Sequence, residues 1–217
     1  MGTRASSAIL LIDSTVVIGG FCISPRNGVL VSGGYAKTPM YVLHALVDPA
    51  TQPATHIAED LAIAPEASQV IFGNATISGT VQNDGALIVF GDLTIEGIYG
   101  DAAWGQSLLA VGGSVRARGI VSSGDFLIRG DVLVSEVVYG HSHDNPLLVG
   151  GTLRARILLE EQHYTRASSL EVQETVSLSE SARLHKLFAD DLFVENVELS
   201  TDLLFDRLEQ GHQVSGS

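Results

Sequence analysis

The chain has 217 residues, 45% of them hydrophobic, which is enough to bury a sizeable core and excludes a disordered chain. Aromatics are only 6% against 23 glycines, so the core is aliphatic and rich in tight backbone corners, a balance that favours a repetitive β architecture. Twelve basic against twenty-five acidic residues give a net charge of −13, which repels nucleic-acid phosphates and anionic lipid and suits a basic partner.

From Met1 to Leu11 the apolar run is too short for a signal peptide or a membrane span, and Asp13 follows too early. A folded, cytoplasmic protein is expected. Cys22 is the single cysteine, which excludes an internal disulfide and fits a reducing compartment; it reads as a small buried hydrophobe. Residues 1–65 read as an irregular N-terminal cap. Gly19-Gly20 and Gly33-Gly34 flank short apolar strands that make one or two imperfect β layers, residues 39–47 read as a short helix or loop, and residues 49–53 as a polar linker.

Residues 66–199 carry an internal repeat. Five segments align on Gly73, Gly91, Gly113, Gly130 and Gly151, each with a β-branched residue two positions earlier: Ile71, Val89, Val111, Ile128 and Val149. The second and fourth residues after each glycine are apolar (Ala75/Ile77, Leu93/Ile95, Val115/Ala117, Val132/Val134, Leu153/Ala155), the period-two signature of a strand with one buried face. The glycines read as positive-φ corners. Further anchors are expected near Ser168, with Leu170 and Val172 inside, and near Asp190, with Leu192 and Val194 inside. A coil that cannot bury its own face must stack on its neighbours. The pattern therefore predicts an all-β fold, a right-handed parallel β-helix of about seven coils, because no strict six-residue period marks the left-handed kind.

Residues 200–217 close the chain with a short capping helix and tail. Ser200-Thr201-Asp202 supplies an N-cap and Gly211 the C′ position, and Leu204 and Leu208 are expected to lie across the last coil. Both ends of the stack are thus expected to be covered. The longer coils place their additional residues in loops on one edge: residues 99–106 with Tyr99, Asp101 and Trp104, residues 139–146 with Tyr139, His141, His143 and Asp144, and residues 177–183. Loops on a rigid scaffold are where function usually sits, so this edge is the candidate partner surface.

Several residue groups could carry chemistry. His141, His143 and Asp144, with His163 one coil further on, are the dense cluster of ligand-type side chains, chemically suited to mononuclear zinc. Their spacing falls short of a ligand motif, so no metal or cofactor is assigned. Arg116, Arg118, Arg154 and Arg156 project from two coils and either form a basic patch for a carboxylate or phosphate, or pair locally with Glu96 and Glu171. Trp104 is a packed lid or an interface anchor. Between Glu160 and Glu209 twelve acidic residues face four basic ones, a solvated face or a dock for a basic protein. There is no phosphate-cradling glycine loop, no G-x-S-x-G and no H-E-x-x-H, so the chain does not read as an enzyme.

The run from Gly73 to Arg156, with its V-x-G-[DG]-x-[LV]-x-[AIV] unit, resembles the bactofilin-like, polymer-forming cytoskeletal proteins of bacteria. The resemblance implies a right-handed β-helix without nucleotide or cofactor, and a cytoplasmic scaffold that polymerises end to end through apolar terminal coils. Two alternatives stand beside it. One is an acidic partner-binding protein, such as an immunity protein that neutralises a basic bacterial toxin. The other is a metal-dependent enzyme using His141, His143 and His163. Self-association or a protein partner is expected, with no nucleic acid and no membrane span.

Overall fold

The computed structural model describes residues 48–214, except 66, 102–106, 142–145, 162–163 and 196–197, together with the backbone of four strands among residues 10–30. Those four strands, Leu10–Ile12, Thr15–Ile18, Phe21–Ser24 and Gly28–Leu30, form an antiparallel sheet in sequence order. They pair with one another rather than as layers of the repeat.

The repeat folds as a parallel β-solenoid. Each coil contributes a strand to three sides. In coil one these are Ser68–Ile71, Ala75–Ile77 and Val81–Asn83. Coil two is built from Ala86–Val89, Leu93–Ile95 and Ile98–Gly100. Coil three uses Leu108–Val111, Val115–Ala117 and Gly119–Ser122, and coil four Asp125–Ile128, Val132–Val134 and Val137–His141. In coils five and six the three sides merge into the continuous strands Pro146–Glu161 and Tyr164–Ser177. A partial coil, Thr55–Ile57 and Leu61–Ile63, pairs with the second and third sides of coil one. There are six full coils rather than seven. At Asp190, where a seventh was expected, the chain makes a 3-10 turn, Asp190–Leu192, and an antiparallel pair, Phe193–Val194 with Glu198–Leu199.

Coil-to-coil register follows the repeat. On the first side Ile71, Val89, Val111, Ile128 and Val149 stack one upon the next, as the alignment requires. On the second side Ala75, Leu93, Val115, Val132, Leu153 and Leu170 do the same. Except for Leu170, these ladders join Leu87, Leu109, Phe126 and Leu147 in one continuous apolar core down the axis. Period-two alternation is the reason: each short strand sends alternate members inward and closes the side with a corner.

The corner glycines are required for close approach, not for positive φ. Among the described residues the one glycine with positive φ is Gly211. At Gly91 a Cβ would lie 2.2 Å from Asn74 Oδ1, at Gly113 2.2 Å from Asp92 Oδ1, and at Gly151 2.2 Å from Asp131 Oδ1. Those oxygens accept backbone N–H bonds from the next corner: Asp92 N to Asn74 Oδ1 at 2.9 Å, Ser114 N to Asp92 Oδ1 at 2.8 Å, and Thr152 N to Asp131 Oδ1 at 2.7 Å. Ser114 Oγ fills the same place for Asp131 N at 3.1 Å. The Gly-[Asn/Asp/Ser/Thr] dipeptide is therefore one device, a polar side chain capping the corner that follows and a glycine leaving room for it.

Beyond coil six come α1, Ser181–Leu187, the antiparallel pair, and α2, Thr201–Glu209. The capping residues of α2 are as the sequence predicts: Ser200 Oγ accepts from Leu203 N at 3.3 Å, and Gly211 follows with φ of 79°. Its position differs. Leu204 and Leu208 do not lie across the last coil but pack against the outer row of the third side, in one cluster with Ile98, Val121, Val137, Tyr139, Ile157, Leu159 and Val176. Leu184, Phe188, Leu192, Phe193, Leu199 and Val214 complete this second core. The segment from Ser181 to Val214 is thus a lateral arm, reaching back to Gly100, where a Cβ would lie 2.2 Å from Phe205, and to Arg118, beside Gly211. The outer row of the third side is apolar, and burying it outweighs any cover the arm could give a single end coil.

Candidate functional site

At the corner between the third side and the first, Tyr99 and Asp101 are internal, while residues 102–106 and 142–145 lie outside the described residues. Tyr99 points into the solenoid and is fully buried, because Ile98 takes the outward position in its strand. Asn83 Nδ2 donates to Tyr99 OH at 2.9 Å and to the Leu108 carbonyl at 3.0 Å. Asp101, also buried, accepts from Ser123 N at 2.6 Å, Gly124 N at 2.9 Å and Ser122 Oγ at 2.8 Å. Burial pushes its carboxyl above the ordinary range, and these donors act against that shift. Burial raises the Tyr99 phenol as well, with the Asp101 charge as the next cause. Tyr99 and Asp101, expected on an exposed loop edge, are therefore buried groups that fix the corner. The projected third loop at residues 177–183 is instead the end of coil six and the start of α1.

Tyr139 is on the outer row of the third side, covered by the arm. Its hydroxyl donates to Glu161 Oε2 at 2.7 Å, and His141 Nδ1 contacts the same oxygen. Burial, then the Glu161 carboxylate, holds the Tyr139 phenol above its usual range. His141 and Glu161 are direct neighbours in the parallel register of coils four and five. His143, Asp144, His163 and Trp104 fall outside the described residues, and among the described ones no three His, Cys, Asp or Glu converge as a metal-holding group.

The arginines separate by position. Arg116 and Arg154 lie on the outer row of the second side, in register with Leu133 between them. Arg154 pairs with Glu171, its Nε 2.8 Å from the carboxylate, as the sequence suggested. Arg118 does not pair with Glu96; it is half-buried beside Gly211 at the end of the arm, with its Nε unbonded. Arg116 is exposed and Arg156 half-buried, and neither has an ion pair among the described residues.

The solenoid ends on an open edge. Strand Tyr164–Ser177 pairs only with coil five, so its far edge has no strand partner among the described residues. Leu170, an inward position of the repeat, is 54% exposed there, and Thr175 is exposed too. The arm carries two more exposed apolar residues, Val194 at 52% and Leu203 at 40%, among exposed carboxylates. Leu170, expected inside, is exposed because the arm packs on the third side and leaves the last coil uncovered; Glu161 and Leu203 lie at ordinary positions of a strand and a helix and carry no sequence signal.

These features define a parallel β-solenoid with a lateral helical arm. Comparison of the chain with family models, with curated proteins and with solved structures gave no match. No helix among the described residues is long and apolar enough to cross a membrane.

Proposed function

We propose that the protein is a non-enzymatic β-solenoid scaffold that assembles through its coil ends, the role implied by its resemblance to polymer-forming cytoskeletal proteins. The observation that carries this reading is coil six, a fourteen-residue edge without a strand partner among the described residues, with Leu170 exposed where the repeat places core residues. An unpaired edge of this length offers backbone donors and acceptors to another chain, and natural proteins normally blunt such edges. The arm, which would be the natural cap, lies on the third side instead.

Light scattering on a size-exclusion column, with the full-length chain at low and high salt, tests the reading. Assemblies that persist or grow as salt screens the −13 charge are expected, and Leu170→Arg should reduce them at least tenfold while leaving the circular dichroism spectrum unchanged. A monomer at every salt concentration, or assembly indifferent to Leu170→Arg, overturns it. A second reading, binding of a basic protein, is favoured by the acidic outer surface of the arm.

A further inference from the structure

The outer row of the second side is polar apart from Leu133: Thr76, Thr94, Arg116, Leu133, Arg154 and Glu171 in successive coils. At its centre Arg116 and Arg154 bracket the half-buried Leu133, and Arg129 stands exposed at the adjoining corner. Arg116 and Arg129 have no carboxylate partner among the described residues, although the chain has twice as many acidic as basic side chains. Within this strip Glu171 pairs with Arg154 on one flank, leaving Arg116 and Arg129 uncompensated, and Asp131 at the corner has Oδ1 occupied by Thr152 N.

The outer surface of the arm is the complement. With Leu204 and Leu208 buried against the solenoid, Asp202, Asp206 and Glu209 fall on the opposite side of α2, all exposed, with exposed Leu203 beside them. The single basic residue of α2, Arg207, is already paired with Asp191. The spacings agree: Asp202 to Glu209 spans about 10.5 Å at 1.5 Å per residue, and Arg116 to Arg154 spans two rungs, roughly 9.6 Å. Each surface has an apolar residue, Leu203 or Leu133, among its charges.

We infer that the arginine strip of the second side is a docking surface for α2 of a second copy of this chain. The contact is heterologous, because the strip and the arm lie on different sides of one copy, so each copy can give an arm and receive one. It is lateral and independent of coil-end stacking. Its charge pairs lie at the surface, so salt weakens it, opposite to the behaviour expected of end assembly.

Sedimentation velocity on the full-length chain at low and high salt, with charge-reversed variants, tests the inference. The double variant Arg116→Glu with Arg154→Glu, and separately Asp202→Lys with Asp206→Lys, should each weaken low-salt association at least tenfold. An equimolar mixture of the two, which opposes a reversed strip to a reversed arm, should restore it. The milder pairs Arg116→Gln with Arg154→Gln and Asp202→Asn with Asp206→Asn guard against loss of fold and should weaken association several-fold. Leu170→Arg should leave this salt-sensitive component intact, which separates it from end stacking. Absence of any salt-weakened association, undiminished association in either reversed variant, or failure of the mixture to recover it overturns the inference.

Discussion

The second and third sides of the solenoid share one backbone design and differ in their outer rows. On the third side that row is Ile98, Val121, Val137, Tyr139, Ile157, Leu159 and Val176, and an arm of 34 residues, Ser181 to Val214, folds over it. On the second side the corresponding positions are Thr, Arg and Glu with a single Leu, and no described element covers them. Inward residues make the coil and outward residues decide what packs on it. A parallel sheet is usually buried on both faces, and here one side departs from that rule and remains as a surface.

The largest test of this contrast removes burial from the covered side. Leu208 is fully buried between α2 and the third side, so Leu208→Ala should cost about 2–5 kcal/mol, the range for deleting a buried leucine side chain. Arg116→Ala, on the bare side, should stay within about 0.5 kcal/mol. Urea denaturation of the two variants measures both. If Leu208→Ala is as mild as Arg116→Ala, the arm is not a packed part of the fold.

Substitution at the corners should have an intermediate effect. A methyl group at Gly113 would sit 2.2 Å from Asp92 Oδ1 and 2.8 Å from Asp92 N, so the capping bond to Ser114 N must shift. Gly113→Ala should therefore cost about 1–3 kcal/mol. Combined with Asp92→Ala, which removes the obstructing oxygen, it should cost less than the sum of the single changes. Strict additivity in thermal melts would show that the glycine is needed for some other reason.

Much of this architecture could be read from the repeat. The Gly anchors, the Ile71-to-Val149 ladder and the Ser200 and Gly211 capping positions follow from local chemistry, and local chemistry is what a sequence states directly. Where reading stopped short, the missing information was about which surface meets which. Leu204 and Leu208 were legible as a buried stripe, but the choice between the last coil and the third side depends on Val121, Tyr139 and Leu159, which look like any other strand residues. Phe188, Leu192 and Val194 mimic the spacing of a seventh coil, yet they serve the arm's core and its exposed hairpin. Tyr99 and Asp101 read as loop residues because they precede a long insertion, while their strand parity and hydrogen bonds draw them inside.

The conservative change Asp101→Asn should have a small effect at neutral pH but carry the sharpest pH signature. The folded Asp101 carboxyl is raised above the ordinary 3.8 by burial, so the sign is opposite to that of a salt-bridged aspartate. The stabilising contribution is complete below the unfolded pKa, where the group is protonated in both states, and is lost as pH rises through the raised folded value. At neutral pH the charged group is held by Ser122, Ser123 and Gly124 at a desolvation cost. Asp101→Asn keeps an acceptor for the two backbone N–H groups without the charge, so it should equal or exceed the wild type in stability at pH 7. That advantage should shrink on acidification toward pH 4. Asp101→Ala leaves those donors unpaired and should cost about 1–3 kcal/mol at either pH. Urea midpoints for the three proteins across this range decide the matter, and an Asn variant that loses stability at neutral pH while matching the wild type in acid would mean that the charge itself, held by its three donors, stabilises the corner.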